Sequence, residues 1–168
     1  MSLQNIQLSG DTIARLYTMP LVNMNTGRQD TPARPETAQD CRFLGSNKKG
    51  ITILVDITDA SFLPDHSFNF LMGILNACKL NMEDVALVNI NNLKDRGYTG
   101  IYNTTRPVIS LLFDVSPNSI GLPLQFPDFQ VHKYNNITYL SSPSLSSLEN
   151  DKAAKAVLWN CLKTIFQL

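Results

Sequence analysis

The sequence has no apolar run approaching the roughly 20 residues that a membrane-spanning helix requires, so no span is expected. Its first residues have neither the basic start nor the apolar core of a signal peptide, which makes an unexported, cytoplasmic protein the expectation. Neither sign of charge is in excess, because fourteen Lys and Arg balance fourteen Asp and Glu. Composition therefore supplies no net field that would draw the chain to nucleic acid or anionic lipid. The three cysteines, Cys41, Cys78 and Cys161, are scattered, which excludes a disulfide framework and a four-cysteine cluster and fits a reducing compartment. Two histidines, His66 and His132, give no Cys/His zinc spacing. The stretch Gly45 to Gly50 lacks the Lys-Ser/Thr ending of a phosphate loop and precedes a strand instead of following one. No metal and no cofactor are expected.

What the chain does have is enough for one domain and a tail. A domain of about 130 to 150 residues can bury close to 70% of its unfolded surface without a disulfide or metal. Residues 1–25 carry Ile6, Leu8, Ile13, Leu16, Tyr17 and Leu21, one sticky face but not a core, and Pro20 ends any helix there. Residues 26–40 are almost free of apolar side chains, and Pro32 and Pro35 favour an extended linker. An apolar segment on a polar linker either packs back on its own domain or binds a partner. Composition alone leaves both open.

Residues 41–168 read as the compact domain. The run Ile51 to Val55 is β-branched and continuously apolar, as expected of a strand buried on both faces. Pro64 and Asp65 open a helix with a stripe of Phe70, Leu71, Ile74, Leu75 and Cys78; Asp65 is the expected cap. Gly73 weakens that helix by up to about 1 kcal/mol unless close packing requires it. Val85 to Ile90 is a second strand and Pro107 to Phe113 a third, with Lys94 to Thr105 between them reading as a loop or poor helix. Ser116 is expected to cap a short helix with Pro117 at its first position and Gly121 at its end. Phe129 to Tyr134 and Ile137 to Leu140, joined by Asn135 and Asn136, read as a hairpin.

The chain closes with a Ser/Pro loop and an amphipathic helix whose stripe is Ala154, Val157, Leu158, Cys161, Leu162, Ile165 and Phe166. Asn150 is the expected cap, and Asp151 adds charge at the positive end of the helix dipole. Lys152, Lys155 and Lys163 read as its solvated face. The sum is a three-layer α/β sandwich with a central, mainly parallel sheet.

Groups that could carry chemistry are few. Asp56, Asp59 and Asp65 follow the first strand, where α/β folds place their sites. They read first as turn and cap residues, since no His or Lys stands beside Asp56 or Asp59 in sequence. His66, at a helix start, and His132, in a hairpin strand, read as surface groups.

From Ile51 to Phe166 the order of elements resembles the uracil-DNA glycosylase superfamily, in particular its iron–sulfur branch. The segment FLMGILNACKLNMEDVALVN, Phe70 to Asn89, is similar to that branch's LLxxxLxxxGLxxxDVxxTN. VISLLFDVSPNSIG, Val108 to Gly121, is similar to its strand, short helix and glycine. Tyr139 to Leu162 is similar to its strand, His-Pro-Ser loop and Trp-containing helix. The resemblance implies that Asn89 occupies the place of the asparagine that reads the uracil edge. It also implies a loss of catalysis: the loop Asp56 to Pro64 lacks the family's glycines, and Ser142 stands where the histidine would stabilise the leaving uracil anion. A neutral hydroxyl is too weak a donor for that task. Asp56, Asn89, Ser142 and Ser144 are then a degenerate pocket, with no catalytic residue.

The same region is similar to the psi subunit family of the bacterial DNA polymerase III clamp loader, a non-catalytic branch of this fold. Its pattern SPxLxxLxxxxxAxxxLW matches Ser142-Pro143 through Leu145 and Leu148 to Leu158-Trp159. Leu8, Ile13, Leu16, Tyr17 and Pro20 resemble the family's leading peptide, with Tyr17 in place of a tryptophan. This resemblance implies clamp-loader subunits as partners, room for a second small accessory subunit, and DNA contact that is indirect or weak. The competing expectation is a glycosylase-like enzyme or a base- or nucleotide-binding module using Asn89, Asp56 and the Ser142 loop.

Overall fold

The computed structural model describes residues 41–93 and 97–168. The segment and linker at 1–40 lie outside them, as do Leu8, Ile13, Leu16, Tyr17 and Pro20. The described chain runs β1 (Ile51–Val55), α1 (Asp65–Ala77), β2 (Val85–Asn89), a 3-10 turn (Ile90–Asn92) and α2 (Tyr98–Thr105). It continues through β3 (Ile109–Phe113), a second 3-10 turn (Pro117–Ile120), β4 (Val131–Tyr134), β5 (Ile137–Ser142), α3 (Leu145–Asn150) and α4 (Lys152–Phe166). No helix among the described residues is long and apolar enough to cross a membrane.

The five strands form one sheet in the order β2-β1-β3-β5-β4. The first four are parallel, and β4 pairs antiparallel with β5. Every residue of β1 and β2 is buried, as the unbroken apolar runs require of strands covered on both faces. Alternation along the strands separates two cores. Ile51, Ile53, Val55, Leu87, Leu111 and Phe113 pack with α1, α3 and α4, whereas Leu54, Val88, Leu112 and Tyr139 pack with Ile101 of α2 and Ile120 of the second 3-10 turn. Fully burying one such aliphatic side chain stabilises by about 1.5–3 kcal/mol, so the double-faced sheet is the main source of stability. The sandwich of helices about a mainly parallel sheet is thus present.

The outer edge of β2 is not bare. Leu44 exchanges backbone hydrogen bonds of 2.8 Å with Leu87, and Asn47 N–H donates to the Val85 carbonyl at 3.0 Å. A protected edge cannot recruit a foreign strand. Gly45 makes this close approach feasible: its φ is +111°, and a Cβ there would sit 2.2 Å from the Val85 carbonyl oxygen. Asn135 and Asn136, both at positive φ, close the β4–β5 hairpin as expected.

Several local expectations are corrected. The Ser/Pro stretch is not all loop, because Ser144 accepts from Ser147 N–H and starts α3, with Leu145 and Leu148 buried beneath it. Asn150 ends α3 and does not cap α4. The cap is Asp151, whose carboxylate accepts from Ala153 and Ala154 N–H, a shorter reach to the first-turn donors than Asn150 has. Asp65 is the first residue of α1 and makes no cap hydrogen bond; Pro64 stands at the cap position. Ser116 occupies the cap position of its 3-10 turn without a side-chain bond, and instead its carbonyl accepts from the Ser119 hydroxyl at 2.7 Å. Tyr98–Thr105 is a formed helix because Ile101 and Thr105 are buried, which overrides its weak propensity. Val157 is 44% exposed and leaves the apolar stripe of α4.

Candidate functional site at the carboxyl edge of the sheet

The parallel registers fix where the site residues stand. Val55 pairs with Asn89 on one side and Phe113 on the other, and Phe113 pairs with Ser142. Asn89, Val55, Phe113 and Ser142 therefore form one row across the carboxyl ends of β2, β1, β3 and β5. Strand order reverses between β1 and β3, the switch point where open α/β sheets place ligands. Side chains in one row share a face, and here it is the face of α1, α3 and α4. The sequence pattern is thus brought to one edge, but three strand spacings of about 4.8 Å separate Asn89 from Ser142, roughly 14 Å.

Asn89 is only 1% exposed, and its amide is committed to the chain's own backbone. Nδ2 donates to the carbonyls of Ile57 (2.8 Å), Ala60 (3.1 Å) and Ser61 (3.4 Å). Oδ1 accepts from Ile57 N–H and Asn91 N–H, each at 3.1 Å. An asparagine has two N–H donors and two acceptor lone pairs, so all of its capacity is used. Asn91 Nδ2 adds a bond to the Ile57 carbonyl at 3.3 Å, and Asn92 Nδ2 donates to the Ser61 carbonyl. Asn89 at the end of β2 and Asn91 and Asn92 just after it thus fasten the loop that follows β1. Asn91 and Asn92 were not singled out by sequence reasoning; the Asn-Ile-Asn-Asn run directly after a buried strand was the available signal.

The other members are differently placed. Ser142 is 2% exposed, its carbonyl accepts from Asp114 N–H at 3.0 Å, and its hydroxyl has no hydrogen-bond partner among the described residues. Ser144 is spent as the α3 cap. Asp56 is half-buried just after β1, and its carboxylate has no hydrogen-bond partner among the described residues. Asp114, also missed in the sequence, is exposed after β3 with φ +59°, an unusual conformation for a residue other than glycine. Phe62 packs on the α1 and α4 face that Asn89 shares, while Phe126 belongs to the opposite core.

The row Asn89, Val55, Phe113 and Ser142 itself holds no histidine and no carboxylate. His66 Nδ1 lies 2.9 Å from a Glu149 carboxylate oxygen, joining the start of α1 to α3, and is mostly exposed. His132 stacks on Phe126 with ring centroids 4.8 Å apart. Among the described residues no group of three His, Cys, Asp or Glu could hold a metal ion. The three thiols are free. Burial pushes Cys78 up to about 11 and raises Cys41 and Cys161, so each is held toward the protonated, unreactive form. Burial also raises the phenols of Tyr102 and Tyr139, which meet edge to face in the second core. Compared with known proteins, the chain matches no family model and no curated protein.

Proposed function

We propose that the chain is a non-catalytic, psi-like accessory subunit of the replicative polymerase clamp loader, built on a degenerate uracil-DNA glycosylase-like scaffold. The observation that carries this reading is the state of Asn89. A base-reading asparagine must offer its amide to a ligand, whereas this one is buried with every donor and acceptor on Ile57, Ala60, Ser61 and Asn91. Releasing it would leave loop carbonyls and N–H groups unpaired, at a cost of about 1–3 kcal/mol for each one that water cannot reach. The Ser-Pro-x-Leu-x-x-Leu pattern also gains a structural reason, because Ser144 caps α3 and Leu145 and Leu148 anchor it in the core. Such a scaffold presents partners with surfaces instead of a reaction centre.

In this reading residues 1–25 dock on the loader, with Leu8, Ile13, Leu16, Tyr17 and Pro20 exchanging conformational entropy for buried area. Deleting 1–25 is expected to abolish co-purification with the clamp-loader ATPase subunits while leaving the circular dichroism of the domain unchanged. Retained co-purification would overturn the proposal. The enzymatic alternative is tested on the same preparation with single- and double-stranded uracil-containing DNA, where abasic sites that disappear in Asn89→Ala would favour it.

A further inference from the structure

α1 and α4 cover the same sheet face but stand apart, leaving a groove of about 340 Å³ between them. Leu158 and Leu162, both buried, form its floor, and half-buried Phe70, Ile74 and Trp159 form its walls. Asn69 and Lys155 are the polar side chains in its lining. The rim is positive. Lys155 Nζ stands 5.3 Å from the Phe70 ring centroid and Lys163 Nζ 5.9 Å from that of Trp159. Neither ammonium has a carboxylate within 4.0 Å among the described residues. The nearest acid along the helix, Asp151, is occupied with Ala153 and Ala154 N–H.

Gly73 bears on what fits the groove. It lies in the middle of α1, where glycine is less favourable than alanine, and is exposed on the groove wall. A Cβ at Gly73 would meet nothing within 4 Å, so the fold itself does not require glycine there. Ala77, one turn on and also exposed, continues the low wall. Two small residues one turn apart let a helix backbone approach closely, and the flanking lysines favour carboxylates beside its apolar strip.

We infer that this groove is a docking site for an amphipathic helix of another protein, with acidic residues flanking a strip of small and aliphatic side chains. A second copy of this chain is a poorer occupant, because groove-to-groove association would set Lys155 and Lys163 against their own equivalents. The groove's lining residues all belong to α1 and α4, whereas the clamp-loader reading rests on residues 1–25, so the two are tested by different experiments and can fail separately.

Trp159 is the sole tryptophan of the chain, so its emission reports occupancy directly. The full chain is titrated with two tryptophan-free helical peptides that share one Leu/Ala strip, one flanked by Glu and the other by Lys. The Glu peptide is expected to shift Trp159 emission to the blue and to bind about tenfold tighter at low salt, a gap that narrows as salt screens it. Lys155→Glu is expected to reverse the preference. Gly73→Leu, whose side chain enters the groove mouth and not the core, is expected to melt no lower than the parent and to lose the peptide. Equal affinity for the two peptides, no emission change up to millimolar peptide, or full binding by Gly73→Leu would each overturn the inference. A blue shift that grows with protein concentration alone would assign the groove to a second copy and overturn it as well.

Discussion

The side chains at the carboxyl edge and the helices α1 and α4 that form the groove share one face of the sheet, but the two regions are built in opposite ways. At the edge, polar side chains are kept from ligands in different ways: Asn89 is spent on the loop after β1, Ser144 caps α3, and Ser142 is sealed from solvent with its hydroxyl unpartnered among the described residues. At the groove, apolar side chains are left half-open, and the cations beside them rest on aromatic rings instead of carboxylates. Fold position alone would have put function at the edge, since that is where α/β sheets bind ligands. The saturated amide of Asn89 argues against a ligand there, and the half-open apolar walls argue for the helices. A polar group with no capacity left recognises nothing, whereas an apolar wall still exposed has free energy to gain from a partner.

The largest effect should come from a change that damages the groove floor. Leu158→Ala removes a side chain that is 2% exposed and contacts the main core. A loss of about 3 kcal/mol in urea unfolding is expected. A loss below about 1 kcal/mol would mean that the floor collapses easily and that the groove is not a fixed shape.

Asn89→Ala tests the other half of the comparison. Cutting the bonds to Ile57, Ala60 and Ser61 should cost roughly 2 kcal/mol, somewhat less than full desolvation because the loop is partly open to water. Hydrogen exchange should accelerate in residues 57–61 first. An unchanged midpoint would show that the amide is dispensable to the loop and would restore it as a candidate ligand group.

These contrasts also show which features the sequence carried. The buried strands were legible because apolar runs of β-branched residues have few other solutions, and the hairpin because Asn135 and Asn136 tolerate positive φ. The helix ends were less so: Asn150 and Asp151 are both good caps, and only the observed break at Asp151 shows which one reaches Ala153 and Ala154 N–H. At the candidate site the resemblance grouped Asp56, Asn89, Ser142 and Ser144, and it did not reveal that Asn89 faces three carbonyls, because that depends on the path of a loop about 30 residues earlier. The groove was not legible at all. Its residues read as core stripe and solvated face, and whether two stripes meet or stand apart is a matter of packing.

A smaller effect separates the two ends of β2. Asp84, at the start of that strand, accepts from Asn81 N–H at 3.1 Å and pairs with Lys49 at 3.2 Å. Burial works against its charge, but the hydrogen bond and the lysine outweigh it and hold the carboxyl below its ordinary 3.8. A carboxylate with a lowered folded-state pKa contributes stability that is present above the unfolded value and is lost as pH falls through the folded one. Asp84→Asn should therefore be less stable than the parent at neutral pH and converge toward it below about pH 3.8. Parallel stability curves would remove Asp84 from the acid limb.

The smallest expected effect is the sharpest test of whether the edge is closed. The Ser142 hydroxyl is buried and unpartnered among the described residues, so the folded state bears a desolvation cost that the unfolded chain, hydrated, does not. Ser142→Ala removes the oxygen and keeps the Cβ, while the backbone carbonyl that receives Asp114 N–H is untouched. The variant should be about 0.5–1 kcal/mol more stable than the parent. A destabilisation of the same size would mean that the hydroxyl has a partner in solution, a water or a ligand entering from the carboxyl edge. The edge would then be open, and the contrast with the groove would fail at Ser142.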